Sequence, residues 1–134
     1  MTTTPTDHTA ATAAAFLQGL ADQDFDALVG TLAADARLRA LLPKGLREWT
    51  GDEEIAGQFA RWFGDTGDFE LVEATLGEVG GRLQLRWRLR LRAERLGAGW
   101  FTVEQQAYGD AGEDGRLARI DLVCTGYRPE ADDG

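Results

Sequence analysis

The sequence predicts an α+β domain in which three N-terminal helices come first and a mostly antiparallel sheet follows. Two textures carry this reading: apolar residues recur at helical spacing up to Phe63, and apolar and polar residues alternate at strand spacing from Phe69 onward. Parallel βαβ units would interleave the two textures, whereas here they are segregated along the chain.

Residues 1–8, Thr-rich with one proline, are expected to form a frayed tail, as are residues 129–134, leaving one domain over 9–128. Thr9 or Thr12 can cap a first helix with Ala13, Phe16, Leu17 and Leu20 on its buried side. Asp24 is the expected cap of a short second helix, whose stripe is Phe25, Leu28, Val29 and Leu32. Ala36 to Leu42, the turn Pro43-Lys44-Gly45 and Leu46 to Thr50 then fit a small hairpin. Thr50 with Glu53 three positions on is a capping-box pattern for a third helix carrying Ile55, Phe59, Trp62 and Phe63 on one side.

Four strands follow. Phe69 to Val79 and Arg82 to Arg92 flank a Gly80-Gly81 turn, a loop through Gly97-Ala98-Gly99 leads to Trp100 to Tyr108, and a Gly- and Asp-rich turn leads to Leu117 to Thr125. These glycines sit between strands rather than before a helix, so they read as turns and no nucleotide cofactor is indicated.

Composition narrows the partners. Of 134 residues 43% are hydrophobic and 28% charged, a globular balance, and the length suffices to bury a core without disulfides or metals. The net charge of -9 opposes binding to nucleic acid or to anionic membrane surfaces. Cys124 is the single cysteine, the N-terminus lacks the basic start and apolar run of a signal peptide, and no apolar stretch approaches the roughly 20 residues of a membrane-spanning helix. A cytoplasmic location is therefore expected. His8 is the only histidine and no carboxylate cluster has metal-ligand spacing, so no metal and no other cofactor are expected.

The order helix, helix, small hairpin, capped helix and four strands resembles the nuclear transport factor 2-like superfamily, including its SnoaL-like and ketosteroid isomerase-like members, over residues 9–128. Phe16-Leu17-Gln18-Gly19-Leu20 followed by Asp24-Phe25-Asp26-Ala27-Leu28 resembles its opening helical pair. Trp49-Thr50-Gly51-Asp52-Glu53-Glu54-Ile55 is similar to its entry to helix three, and Asp114-Gly115-Arg116-Leu117-Ala118-Arg119-Ile120-Asp121 to its last-strand pattern. The resemblance implies a cone with an apolar pocket inside a curved sheet, in a superfamily of isomerases, epoxide hydrolases, dehydratases, polyketide cyclases and non-enzymes. Fold alone does not select among these.

The acid that such cyclases and epoxide hydrolases carry on the last strand falls here on Leu122, with Asp121 one step out of phase. The isomerase base would fall near Arg39, Ala40 and Leu41, and the first-helix tyrosine in Phe16 to Leu20; neither residue type is present. If Tyr108 keeps the inward parity usual before the final turn, Thr102, Glu104, Gln106 and Tyr108 face the cavity and Phe101, Val103, Gln105 and Ala107 face out. Glu104 would then be a desolvated acid or base, with Gln106 and Tyr108 placing a substrate oxygen. With the opposite parity, Glu104 pairs with arginines on the outer face. The two readings exclude each other.

Arg86, Arg88, Arg90 and Arg92 alternate with Leu85, Trp87, Leu89 and Leu91, so that strand has one cationic and one apolar face, with Glu73 and Asp121 as cross-strand partners. Trp49, Trp62, Trp87, Leu89, Leu122 and Cys124 are expected to wall the ligand pocket, their alternative being plain core. Arg47 and Arg128 flank it. The expected partners are a small apolar ligand and a second copy of the chain, docked on the outer sheet face through Phe101, Val103 and Ala107 beside the arginines. Two functions stay open: cofactor-independent proton transfer on an apolar carbonyl compound by an isomerase, cyclase or dehydratase, or a non-catalytic ligand-binding or dimerisation module.

Overall fold

A computed structural model describes residues 5–130, and side chains from residue 10 onward. Helix α1 spans Pro5–Ala21 and buries the apolar side chains of Ala13, Phe16 and Leu20. It starts ahead of the expected Thr9 or Thr12 cap, at a proline whose fixed φ and missing N–H suit the first turn. The expected tail 1–8 is thus helical from Pro5; residues 1–4 lie outside the described residues. Helix α2, Phe25–Thr31, has the expected cap, Asp24 accepting from the Ala27 N–H at 3.2 Å.

Strand β1 begins earlier than the alternation suggests, at Leu32, and runs to Leu42 before the hairpin into β2, Gly45–Thr50. Helix α3 spans Asp52–Phe63. Its start differs from the capping box expected. Gly51 occupies the cap position at φ 101°, and Glu54, not Glu53, reaches back to accept from the Thr50 N–H at 3.0 Å. Strands β3 (Asp68–Val79), β4 (Arg82–Arg92), β5 (Phe101–Ala111) and β6 (Leu117–Cys124) follow, with a single 3-10 turn at Glu94–Leu96. A two-residue β7, Arg128–Pro129, pairs with β5, and Glu130 takes two hydrogen bonds from Arg90, so the chain stays anchored to the sheet beyond 128. Residues 131–134 lie outside the described residues.

The sheet order is β2-β1-β6-β5-β4-β3, with β7 on β5. All pairings are antiparallel except β1 with β6, where Leu38 lies opposite Ile120. The helices cover one face, and the core between the layers is built on Phe16, Phe59, Phe63 and Trp87 with Leu20, Leu28, Leu38, Leu89 and Leu91. Phe16 meets Phe59 edge to face at 5.4 Å. At about 1.5–3 kcal/mol for each large apolar side chain removed from water, this cluster dominates the favourable side of folding.

Strand β5 takes the second of the two parities. Val103, Gln105 and Ala107 are buried, while Thr102, Glu104, Gln106 and Tyr108 lie on the outer face. The physical reason is β4: its arginines occupy the outer face, and the register sets Arg88 opposite Glu104 and Leu89 opposite Val103. The reverse parity would bury four polar side chains and expose three apolar ones. It follows that Phe101, Val103 and Ala107 point into the domain and leave the outer face without the apolar residues on which the expected dimer contact rested. Three of the exposed large apolar side chains, Leu41, Leu46 and Val123, lie adjacent across β2, β1 and β6.

Candidate functional site

Between α3, the β1–β2 hairpin and the ends of β5 and β6 the cone opens into a cavity of about 860 Å³, within the range of small-molecule sites. Helix α3 contributes two faces from one sequence. Ile55, Phe59 and Phe63 pack into the core, and Glu54, Gln58 and Trp62, four apart, line the cavity. Trp62 stands edge to face against Trp49 at 5.6 Å and against Phe59 at 5.2 Å, a continuous aromatic wall from mouth to core.

The inner wall comes from Val103, Gln105 and Cys124. Gln105 is fully buried, and its Oε1 accepts from the Trp87 indole N–H at 2.9 Å. An indole nitrogen only donates, so this contact fixes which end of the amide is oxygen and leaves the NH₂ group as a donor. Among the described residues Gln105 Nε2 has no partner. Leaving a buried donor unsatisfied costs about 1–3 kcal/mol, and the rest of the core contains nothing comparable among the described residues.

Tyr127 closes the side of the cavity but is fully engaged. Its hydroxyl donates to the Trp62 carbonyl at 2.6 Å and accepts from Arg95 at 3.1 Å, with the guanidinium stacked over its ring. Burial raises its phenol pKa, against the opposing pull of Arg95, so it stays neutral with its proton committed. Cys124 Sγ accepts from the Gly126 N–H at 3.3 Å and makes no hydrogen bond to a basic side chain among the described residues, which leaves it without an activating base. At the exposed rim lie Lys44, Arg47 and Arg61 with Glu48 and Glu54. Glu48 pairs with Arg37 and Arg39, each at 3.6 Å, while Glu54 serves the helix start. No group of three potential metal ligands forms among the described residues.

Of the six residues expected at the ligand, Trp49, Trp62 and Cys124 line the cavity, whereas Trp87, Leu89 and Leu122 are buried behind it as core. The expected catalytic residues Glu104, Gln106 and Tyr108 do not line this cavity. Glu104 sits on the outer face, 2.8 Å from Arg86 and 3.3 Å from Arg88. The hydrogen bond from Arg86 holds its carboxyl below the ordinary value, outweighing desolvation, the opposite of what a general acid needs. Gln106 donates to the Tyr108 hydroxyl at 2.8 Å on the same outer face. Leu122 is buried and Asp121 points outward to Arg82 at 2.9 Å, so the last strand brings no carboxylate inward from either position. Arg47 is at the rim, and Arg128 is exposed on β7.

Sequence reasoning missed Gln105, Gln58 and Tyr127. The first was recoverable, because Phe101, Val103 and Ala107 share its parity and three apolar residues on one side of a strand mark the buried face. No local pattern flags Tyr127, which lies in the connection beyond β6.

No curated protein matches the chain significantly. Among solved structures the fold matches Bal32a from a soil-derived mobile gene cassette, at 19% identity over 92% of this chain and 93% of that one, TM-score 0.72. It also matches a candidate polyketide cyclase from Xanthomonas campestris pv. campestris, at 15% identity over 90% and 92%, TM-score 0.69. A third match is an LEH-like epoxide hydrolase from M. tuberculosis, at 18% identity over 88% and 83%, TM-score 0.64. Identities this low establish a shared three-dimensional arrangement and no shared chemistry. The sequence profile of the SnoaL-like domain matches residues 13–120, most of the chain, and the chain belongs to the SnoaL-like family of the nuclear transport factor 2-like superfamily.

Proposed function

We propose that the protein binds a small, largely apolar, ring-bearing molecule in the cavity between α3 and β5–β6, and that it does so without proton-transfer chemistry of its own. The observation that carries this reading is the aromatic-walled cavity of about 860 Å³, whose carboxylates, Glu48 and Glu54, are confined to the exposed rim. Proton transfer requires an acid or base within reach of the reacting atom. Away from the rim the titratable groups of the cavity are Cys124 and Tyr127, one without a base and the other with its proton committed. Cyclase or hydrolase chemistry, as named for two proteins of the same fold, therefore finds less support here than ligand capture.

The test uses the bicyclic hydrocarbon indane and its ketone, indanone. Titration followed by tryptophan fluorescence is expected to saturate with either probe, and failure of both to bind removes the reading. Deuterium incorporation beside the carbonyl of indanone in heavy water is expected at the rate of buffer alone. A rate above buffer that Glu48→Gln or Glu54→Gln abolishes would restore the enzyme.

A further inference from the structure

We infer that Gln105 is the polar anchor of the cavity and that the ligand must present a hydrogen-bond-accepting oxygen to its side-chain NH₂. The inference rests on the reading that the cavity binds a small molecule, and it adds which chemical class that molecule belongs to.

Three observations converge on one side chain. Gln105 is fully buried yet lines the cavity. Trp87 Nε1 holds its Oε1 at 2.9 Å, which removes the freedom of the amide to flip and commits the other end to donating. That other end has no acceptor among the described residues. The neighbours that could have served are occupied or unsuited. Cys124, opposite Gln105 in the β5–β6 register, already takes the Gly126 N–H on its sulfur, and the Tyr127 hydroxyl, which itself donates to Trp62, takes Arg95.

Strand geometry makes the anchor rigid. Gln105 projects from the interior of β5, held between β4 and β6, so its amide is placed by two ladders and by the Trp87 contact rather than by a loop. Trp87 is itself packed against Phe16 and Phe59 at 5.9 and 6.4 Å, so the group that orients Gln105 belongs to the core. A carbonyl, ether or hydroxyl oxygen satisfies the donor, whereas a hydrocarbon leaves it unmet and a protonated amine opposes it. The resulting site selects neutral oxygen-bearing ring compounds over hydrocarbons of the same shape.

Indanone and indane differ at one position, and their affinities for the wild-type protein test the idea. Indanone is expected to bind about tenfold more tightly. The bound carbonyl carbon should keep the downfield NMR position of a hydrogen-bonded ketone rather than move towards its value in cyclohexane. In Gln105→Met the two probes should bind equally and the bound carbonyl should move upfield. Both wild-type readouts stand without the variant should it fail to fold. Equal binding of both probes by the wild-type protein, with the carbonyl at its apolar position, overturns the anchor while leaving the cavity reading intact. A preference for indanone that survives in Gln105→Met also overturns it, by assigning the donor to another group. Failure of both probes to bind overturns the cavity reading and the anchor together.

Discussion

The two faces of β5 use similar side chains to opposite ends. On the outer face Thr102, Glu104, Gln106 and Tyr108 are all partnered: Thr102 with Glu130, Glu104 with Arg86 and Arg88, and Gln106 with Tyr108. On the inner face Gln105, one residue from Glu104, stands among apolar neighbours with half of its amide unmatched. A polar residue on a solvated surface finds partners at little cost, so its presence says little about function. A polar residue kept in a core with a donor unmet is costly and calls for an explanation beyond the fold.

That contrast can be broken from the inside first. Phe59→Ala, in the centre of the core, is expected to cost about 3–5 kcal/mol, measured by denaturant unfolding, and a loss under 1 kcal/mol would show that the aromatic cluster does not hold the layers together. Trp62→Ala removes the aromatic wall of the cavity and should weaken indane binding about tenfold, read by calorimetric titration; unchanged affinity would place the ligand elsewhere. Tyr127→Phe deletes the hydroxyl that donates to the Trp62 carbonyl, for an expected loss of about 1 kcal/mol, with the preference between indanone and indane untouched. A changed preference in that variant would make Tyr127 a second anchor.

The smallest effect belongs to the outer face. Glu104→Gln is expected to lower stability by less than about 1 kcal/mol, since the arginine pairs are screened by solvent, and to leave ligand binding unchanged. Its pH signature has a definite sign. Because Arg86 holds the folded-state carboxyl below its ordinary value near 4.5, the contribution of Glu104 is fully present above that value. It is lost as pH falls towards and through the folded value. Urea midpoints of wild type and variant should therefore converge below the ordinary carboxylate pKa and separate above it. A gap that widens on acidification contradicts the pairing.

Most of the fold is legible in the sequence, because glycine turns and arginine–leucine alternation mark the strand ends of β3, β4 and β6 without ambiguity. The start of β1 is not, since Ala33-Ala34-Asp35-Ala36 carries weak β propensity and is held in the strand between Leu32 and Arg37, which pair with β6 residues over 80 positions away. The site is less legible for a different reason. Register converts one residue of offset into a reversal of faces, so the choice between Glu104 and Gln105 turned on whether the final-turn tyrosine or the apolar set Phe101, Val103 and Ala107 decides the parity. Burial energy favours the apolar set. The same argument follows from β4, whose outward arginines need carboxylates beside them and find one in Glu104.

The parallel pairing of β1 with β6 has a consequence for how the protein comes into being. Leu38 and Ile120 meet only after the segment through β6 has been made, and contacts between such distant segments slow folding. Until β6 docks, β1 and β2 have no neighbour joining them to β3–β5, and the cavity, which needs α3 and the hairpin on one side and β5–β6 on the other, does not exist. A chain still lacking β6 therefore lacks the proposed binding cavity. A molecule bound in the completed cavity would add to the stability of the folded chain.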